Sequence, residues 1–331
     1  MRKLFYLFFL LGSLSACLKK DTAIVLPPTS GDLTLAQSTL GTSYDVQEYY
    51  NIKTGRKVSA DSRSFDLCFA SKFNAIYLNG ARVQLLQHSQ DTSFATADTS
   101  NIRHWLPDGD GLQTDSLAFG TDFTTREVML LDRGKAYSPS GKRMVKFRLK
   151  QATTSAYTIE WQWYDSTRIN IAYIPKDTSY SLMYYSFDSK TLVYPAPKSK
   201  DWDICFTRYT TTFESEPWNT PYRNYAVVGG ILNVWKGVKG QEVRKGKGNI
   251  NYKDFSIADA MYALQIGMST RADIPGYDWK YYDFNANKYM IRTDQYYFVQ
   301  CADGIIYKVR VLDFYDSKGT KGTISFEQQK L

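Results

Sequence analysis

The chain has 331 residues, of which 43% are hydrophobic and 15% aromatic, including 26 tyrosines. This composition supports a sizeable buried core and excludes an intrinsically disordered chain. The formal net charge of +8 is mild for this length; it fits an anionic neighbour such as a lipid headgroup, or an ordinary solvated surface, and we expect no nucleic-acid partner.

The amino terminus has the order of a secretory signal. Two basic residues at positions 2 and 3 precede an apolar run over residues 4–11, which is too short to span a bilayer comfortably. Residues 14–17 read Leu-Ser-Ala-Cys, which resembles the bacterial lipobox, in which the Cys becomes the acylated first residue of the mature protein. We predict a lipoprotein signal peptide over residues 1–16 and lipidation of Cys17; the alternative is an ordinary cleaved signal with a chance Cys.

Acylation would anchor the chain firmly, since each buried methylene contributes roughly 0.8 kcal/mol. Residues 17–42 contain two adjacent prolines and few apolar side chains, so they are predicted to form a lipidated tether.

The rest of the chain contains a long repeat. Residues 64–69 recur as residues 201–206, and each copy is preceded by a Tyr pair, at residues 49–50 and 184–185. Further matches in the same order are 80–83 with 229–232, 141–149 with 304–311, and 158–161 with 323–326. A repeat this long indicates duplicated domains rather than a solenoid, and we predict tandem β domains at residues 43–167 and 168–331.

Alternation with a period of two dominates both halves. In residues 144–150, Val145, Phe147 and Leu149 alternate with basic residues, which is typical of a half-solvated antiparallel strand. We predict an all-β fold of mostly antiparallel sheets with at most one short helix. That helix is predicted over residues 256–268, because Ser256 and Asp259 form a capping pattern and apolar residues follow on one face.

Beyond Cys17, the chain has three cysteines: Cys68, Cys205 and Cys301. An odd count argues against a disulfide framework. Cys68 and Cys205 occupy matching repeat positions, so each is predicted to pack as a small apolar residue inside its own domain.

The second half resembles a known family. Residues 184–187, 202–209, 225–230 and 297–304, with the ending over residues 307–328, resemble the HmuY-like haem-binding lipoproteins of Bacteroidota. The resemblance is clearest over residues 168–331, and the first half matches mainly as a divergent copy. It implies a lipoprotein anchored to the outer membrane that binds haem or a related porphyrin for iron acquisition and delivers it to a TonB-dependent receptor. It also implies axial His ligands, or Met ligands in some relatives.

The ligand residues of the family do not transfer directly, because residues 231–301 contain no His. Met261 and Met268 lie in this segment and are candidate thioether ligands, although their helical spacing also fits core packing. Both histidines of the chain, His88 and His104, lie in the first half, where Trp105 could stack on a porphyrin. The alternative is a pair of surface loop histidines.

No catalytic motif is present, since the chain lacks a His-Glu-x-x-His segment and a Gly-x-Ser-x-Gly segment, and we expect a non-catalytic protein. Two hypotheses remain. The chain binds haem or another porphyrin, or it keeps the scaffold as a cell-surface interaction protein for a glycan or a partner protein. The second hypothesis would use exposed aromatics such as Trp218, Tyr222, Tyr277 and Trp279, which could instead belong to the core.

Overall fold

A computed structural model describes residues 31–100, 104–134, 141–212, 224–244, 252–254 and 256–331. Within these ranges the chain forms twenty β-strands and one α-helix, which confirms the predicted all-β class. The elements are β1 (Leu33–Thr39), β2 (Val46–Tyr50), β3 (Lys57–Asp61), β4 (Leu67–Ala70), β5 (Ile76–Leu78), β6 (Leu85–His88), β7 (Met129–Asp132), β8 (Met144–Ala152), β9 (Ala156–Trp163), β10 (Asn170–Pro175), β11 (Leu182–Ser186), β12 (Thr191–Val193), β13 (Ile204–Thr212), β14 (Asn224–Leu232), β15 (Lys239–Arg244), α1 (Ile257–Ile266), β16 (Lys280–Asp283), β17 (Lys288–Ile291), β18 (Gln295–Gln300), β19 (Ile306–Tyr315) and β20 (Lys321–Lys330).

The strands form four antiparallel sheets and a separate hairpin of β16 and β17. The first outer sheet has the order β10-β9-β8-β7-β6, and the first inner sheet has the order β12-β11-β4-β5. The second inner sheet has the order β14-β13-β2-β3, and the second outer sheet has the order β1-β20-β19-β18-β15.

Three apolar clusters define how the sheets stack. One joins the first outer and first inner sheets, through residues such as Phe147 and Tyr185, and another joins the second inner and second outer sheets, through residues such as Phe206 and Phe326. A third cluster contains side chains of both inner sheets, including Tyr49 and Tyr184. The molecule is therefore a four-layer stack of two β-sandwiches.

Strands of the inner sheets are buried on both faces, which explains their nearly continuous apolar sequences. In β2, Tyr49 packs in the cluster between the inner sheets while the next residue, Tyr50, packs in the second sandwich. Outer strands keep the alternation of a half-solvated sheet, as in β10, where Ala172 and Ile174 are buried and Ile171 and Tyr173 are exposed.

The repeated segments pair with each other across the chain. Strand β2 pairs with β13, placing Cys205 opposite Tyr49, and β11 pairs with β4, placing Tyr184 opposite Cys68. Each inner sheet thus combines strands from both sides of the predicted boundary between residues 167 and 168. The prediction that Cys68 and Cys205 pack in separate domains is wrong, because both lie in the cluster shared by the two inner sheets. Both are buried as predicted, Cys301 is buried as well, and all three are free, in line with the argument against a disulfide framework.

The tether prediction needs a correction at its end. Residues Leu33–Thr39, inside the predicted 17–42 tether, form β1 and pair with β20 at the edge of the second outer sheet. The predicted signal peptide and Cys17 lie outside the described residues.

Strand registers also correct two of the repeat matches. Arg148 lies opposite Glu160, and Arg310 lies opposite Glu327, so residue 160 corresponds to residue 327 and not to residue 325. Residues 80–83 do not correspond to residues 229–232, because Gly80–Arg82 is a 3₁₀ turn that follows β5, and its counterpart is the turn Val234–Lys236 that follows β14.

The predicted helix is present but shorter, over Ile257–Ile266, and begins with the predicted capping box of Ser256 and Asp259. Ala260 is buried and Leu264 is partly buried against Tyr296 and Phe298. Among the described residues, no helix has the length and apolar content needed to cross a membrane.

Candidate functional site

His88 stands at the end of β6 and has contacts at both ring nitrogens. Its Nδ1 lies 3.0 Å from Glu127 Oε2, and its Nε2 lies 3.0 Å from the carbonyl oxygen of Ala118. The ring is therefore oriented by a carboxylate on one side and a backbone acceptor on the other. Strand β6 is the counterpart of β15, because both pair with the strand that precedes the long outer hairpin.

His104 lies on the segment that runs beside β6. Leu106 and Leu86 exchange two backbone hydrogen bonds of 2.8 Å in an antiparallel bridge. The bridge is isolated, and it sets the segment of His104 antiparallel to β6. His104 is exposed, and Trp105 is partly buried against a small cluster that includes Phe94 and Val128.

The two methionines are in different surroundings. Met261 is 51% exposed on α1, which contradicts its predicted place on the core-facing side, whereas Met268 packs against the cluster that contains Tyr296. Met268 follows the end of α1, so the two side chains do not share a helical face.

The aromatic residues considered for partner binding are also divided. Trp279 is buried in the second sandwich and donates a hydrogen bond of 2.9 Å to the Gly276 carbonyl, so it belongs to the core, one of the two alternatives for these rings, and not to a binding surface. Tyr277 is partly buried, and Trp218 and Tyr222 lie outside the described residues. Exposed rings appear instead on the β16–β17 hairpin, at Tyr281, Tyr282 and Phe284, the last of which is 87% exposed.

A cavity of about 110 Å³ lies between the inner sheets. Its wall includes the paired positions Tyr49, Cys68, Tyr184 and Cys205 and the buried carboxyl of Asp108. Burial raises the pKa of Asp108 to about 7, although its two oxygens accept hydrogen bonds from the backbone of Leu78 and Ala118. This volume is well below the roughly 300–1,000 Å³ of typical small-molecule sites, so the cavity does not accommodate a porphyrin.

A larger recess of about 530 Å³ opens at one edge of the inner sheets, and we call it the lysine recess. Its lysines come from four separate loops: Lys53, Lys72, Lys198, Lys200 and Lys236. Asp203 and Asp303 supply carboxylates, of which Asp203 is paired with Lys236 at 2.8 Å and Asp303 with Lys53. Sequence analysis missed this site, because its lysines are far apart in the chain and no motif joins them.

The ion pair between Lys53 and Asp303 shifts the pKa of both partners. Partial burial works against the charge of Lys53, but the contact with Asp303 raises the pKa of Lys53 overall. The same contact lowers the pKa of Asp303. Both groups therefore stay charged over a wide pH range. In the part of the chain that the structure describes, no group of three or more His, Cys, Asp and Glu residues is placed to hold a metal ion.

No protein-family model and no curated protein matches the chain. Among solved structures it is similar to apo PinO from Porphyromonas gingivitis, with 8% identity and a TM-score of 0.29 over 91% of this chain and 97% of that one. It is also similar to a putative HmuY-like haem-binding protein from Bacteroides vulgatus ATCC 8482, with 8% identity and a TM-score of 0.22 over 89% and 90%. A third similar structure is the apo HmuY analogue of Tannerella forsythia, with 9% identity and a TM-score of 0.20 over 92% and 98%. These values give no support for a shared ligand.

Proposed function

We propose that this chain is an exported, lipid-anchored, non-catalytic protein that binds haem or a related porphyrin at the segment pair carrying His88 and His104. The observation that supports this most directly is the Leu86–Leu106 bridge, because it brings the only two histidines of the sequence to the same end of two adjacent segments. Nothing in the spacing of the two residues along the chain required that their segments be joined.

The surroundings of His104 suit an axial ligand. Its side chain is exposed and makes no hydrogen bond or ion pair with any described residue, so a ring nitrogen is available to iron. Trp105 and Leu106, the latter 44% exposed, offer apolar surface beside it for a planar macrocycle.

His88 fits the same role after one local change. Ligating imidazoles commonly use their second nitrogen to contact a carboxylate, and the contact between Nδ1 and Glu127 has this arrangement. Nε2 must leave the Ala118 carbonyl before it can bind iron, which costs about 0.5–1.5 kcal/mol for one hydrogen bond.

Titration of the purified apo-protein with haemin tests the proposal. We expect a shift of the Soret band, at least about tenfold weaker binding in His104→Ala, and loss of the shift in the double variant with His88→Ala. Met261→Leu and Met268→Leu serve as matched controls and should leave the spectrum unchanged. Absence of a Soret shift in the wild-type protein, or an unchanged titration in the double variant, would refute haem binding by these histidines.

The anchor is tested separately. If Cys17 is the acylated residue, cells fed labelled palmitate should label the wild-type chain, and Cys17→Ala should abolish both labelling and recovery in the outer-membrane fraction. Delivery of haem to a TonB-dependent receptor is the role we propose for the anchored protein, and co-purification of such a receptor with the haem-loaded form tests that step. Retention of label in Cys17→Ala would show that the lipid is attached elsewhere.

A second function is favoured by the exposed β16–β17 hairpin. Tyr281, Tyr282 and Phe284 present flat rings at the surface, and such rings provide contact area for a glycan or a partner protein at low entropic cost. A glycan array probed with the wild-type protein and with Phe284→Ala tests this alternative. Specific binding that Phe284→Ala removes, together with a blank haemin titration, would replace the porphyrin proposal by this one.

A further inference from the structure

We propose that the lysine recess is a second binding site, separate from the histidine segments, for a small ligand that carries phosphate or sulfate oxyanions. The recess has the volume of a small-molecule site, and five of its twelve lining residues are lysines.

The charges of the recess do not balance. Two of its lysines, Lys53 and Lys236, are paired with Asp303 and Asp203. The other three, Lys72, Lys198 and Lys200, form no salt bridge with any residue that the structure describes. A multiply charged oxyanion would supply the missing partner, because ammonium groups form charge-assisted hydrogen bonds with phosphate and sulfate oxygens.

Neighbouring carboxylates do not remove this excess. Asp177, beside the recess residues Thr178 and Ser179, has a lowered pKa, mainly because of hydrogen bonds from Ser179 and to a smaller extent because of the Lys198 charge. It is therefore ionised at neutral pH, but one further negative charge leaves the site positive.

The site is held by the rigid part of the fold. Lys53 follows β2, Lys72 follows β4, and Lys236 belongs to the 3₁₀ turn after β14, so the loops are fixed by strands of both inner sheets. Lys236 is anchored further, since its Nζ also donates to the Trp202 carbonyl and its side chain is only 11% exposed. Loops positioned by a rigid scaffold are a common location for binding residues.

The equivalent place in the other repeat is occupied by an arginine. There Arg133 fills the space beside Asp66 and binds both Asp66 and Asp188. The corresponding position beside Asp203 is Cys301, whose short side chain is buried in the apolar cluster of the second sandwich and supplies no counter-ion to Asp203. The arginine that neutralises the buried aspartate is therefore a property of one copy and not of the fold in general.

Isothermal titration with inorganic phosphate, sulfate and pyrophosphate, at low and at physiological salt, tests the proposal. We expect saturable pyrophosphate binding that Lys72→Ala/Lys198→Ala weakens at least about tenfold, while the matched surface variant Lys288→Ala/Lys318→Ala changes it by less than about twofold. No heat with any of the three anions, or an equal loss in both variants, would overturn the proposal.

Two further experiments distinguish a free anion from a lipid headgroup and from haem as the ligand of the recess. Phosphatidylcholine vesicles with and without phosphatidylglycerol report lipid headgroups; binding confined to these vesicles, with no binding of free anions, would overturn a small-ligand site. Haemin titration of Lys72→Ala/Lys198→Ala should match the wild-type protein. Loss of the Soret shift in this variant would overturn the separation of the two sites, because the recess would then hold the porphyrin itself.

Discussion

Two buried aspartates, Asp66 and Asp203, occupy equivalent places in the two repeats. The Oδ2 atom of Asp66 accepts a hydrogen bond of 2.8 Å from the Phe187 amide, and that of Asp203 accepts one of 2.9 Å from the Ile52 amide. A buried asparagine is bound to each aspartate: the backbone amides of Asn79 and Asn233 donate to the backbone carbonyls of Asp66 and Asp203. The two copies thus share one backbone arrangement around the aspartate, which we call the frame.

The charges around the two frames differ. Arg133 approaches Asp66 at 2.7 Å and Asp188 at 2.6 Å, and Arg82 lies 3.3 Å from Asp66, so two guanidinium groups balance two carboxylates in a nearly solvent-free cluster. Around Asp203 a single lysine, Lys236, supplies the ion pair at 2.8 Å.

Two replacements account for the contrast. Cys301 corresponds to Arg133, since the backbone amide of each donates to the equivalent carbonyl of its outer hairpin, that of Arg143 for Arg133 and that of Ile305 for Cys301. Lys53 corresponds to Asp188, because the former follows the strand that pairs with β13 and the latter follows the strand that pairs with β4. One copy therefore holds a neutral, closed cluster that stabilises the fold, and the other holds an open, positive recess that is available to a ligand.

The largest expected effect is that of Arg133→Met. It leaves Asp66, which is fully buried, without its closest counter-ion, and breaking a buried pair in this way costs roughly 3–5 kcal/mol of unfolding free energy. Urea denaturation measures the loss. The matched variant Lys236→Met, which removes the ion pair of Asp203, should lose clearly less unfolding free energy. Equal losses in the two variants would show that the two clusters contribute equally to stability.

The second sandwich also contains a buried amine, which predicts a pH effect. Lys280 Nζ lies 4.0 Å from the centre of the Trp279 ring and 4.8 Å from that of Phe314, and burial lowers its pKa from 10.5 to about 7. Above 10.5 the amine is neutral in both states. As the pH falls towards 7, the unfolded chain takes up a proton that the folded chain does not, so stability declines, and the loss is complete below 7.

Lys280→Met removes this titration. The gain in unfolding free energy relative to the wild-type protein should be larger at about pH 6 than at about pH 10, by on the order of 2 kcal/mol. Urea denaturation at the two pH values measures the difference, with exposed Lys288→Met as the control that should show none. A gain that is independent of pH would mean that Lys280 keeps its proton when folded.

Local sequence patterns predict individual strands and the helix, but they do not predict which strands pair. The alternation at Val145, Phe147 and Leu149 predicts β8, and the Ser256–Asp259 capping pattern predicts the start of α1, because both depend only on neighbouring residues. The exchange of strands between repeats depends on contacts such as Cys205 with Tyr49, which are far apart in the chain.

Unequal spacing explains why the two frames were not matched by sequence. Asn79 follows Asp66 after a short hairpin, whereas Asn233 follows Asp203 only after the long strands β13 and β14. A comparison at constant spacing therefore aligned the turn after β5 with the strand β14. The lysine recess remained hidden for the same reason, since its lysines converge only when both inner sheets are assembled.

The smallest expected effect is that of Cys301→Arg on pyrophosphate affinity, and it tests the comparison between the two copies most directly. Cys301→Arg restores at the lysine recess the residue type that closes the first frame, so its guanidinium should reach Asp203 as that of Arg133 reaches Asp66. Pyrophosphate affinity should fall about tenfold, or about 1.4 kcal/mol, although the substitution adds a positive charge. Cys301→Ala, which keeps the space open, should retain the wild-type affinity. Because a simple dependence on net charge predicts tighter binding for Cys301→Arg, an affinity that rises would show that charge, and not the open volume, distinguishes the two copies.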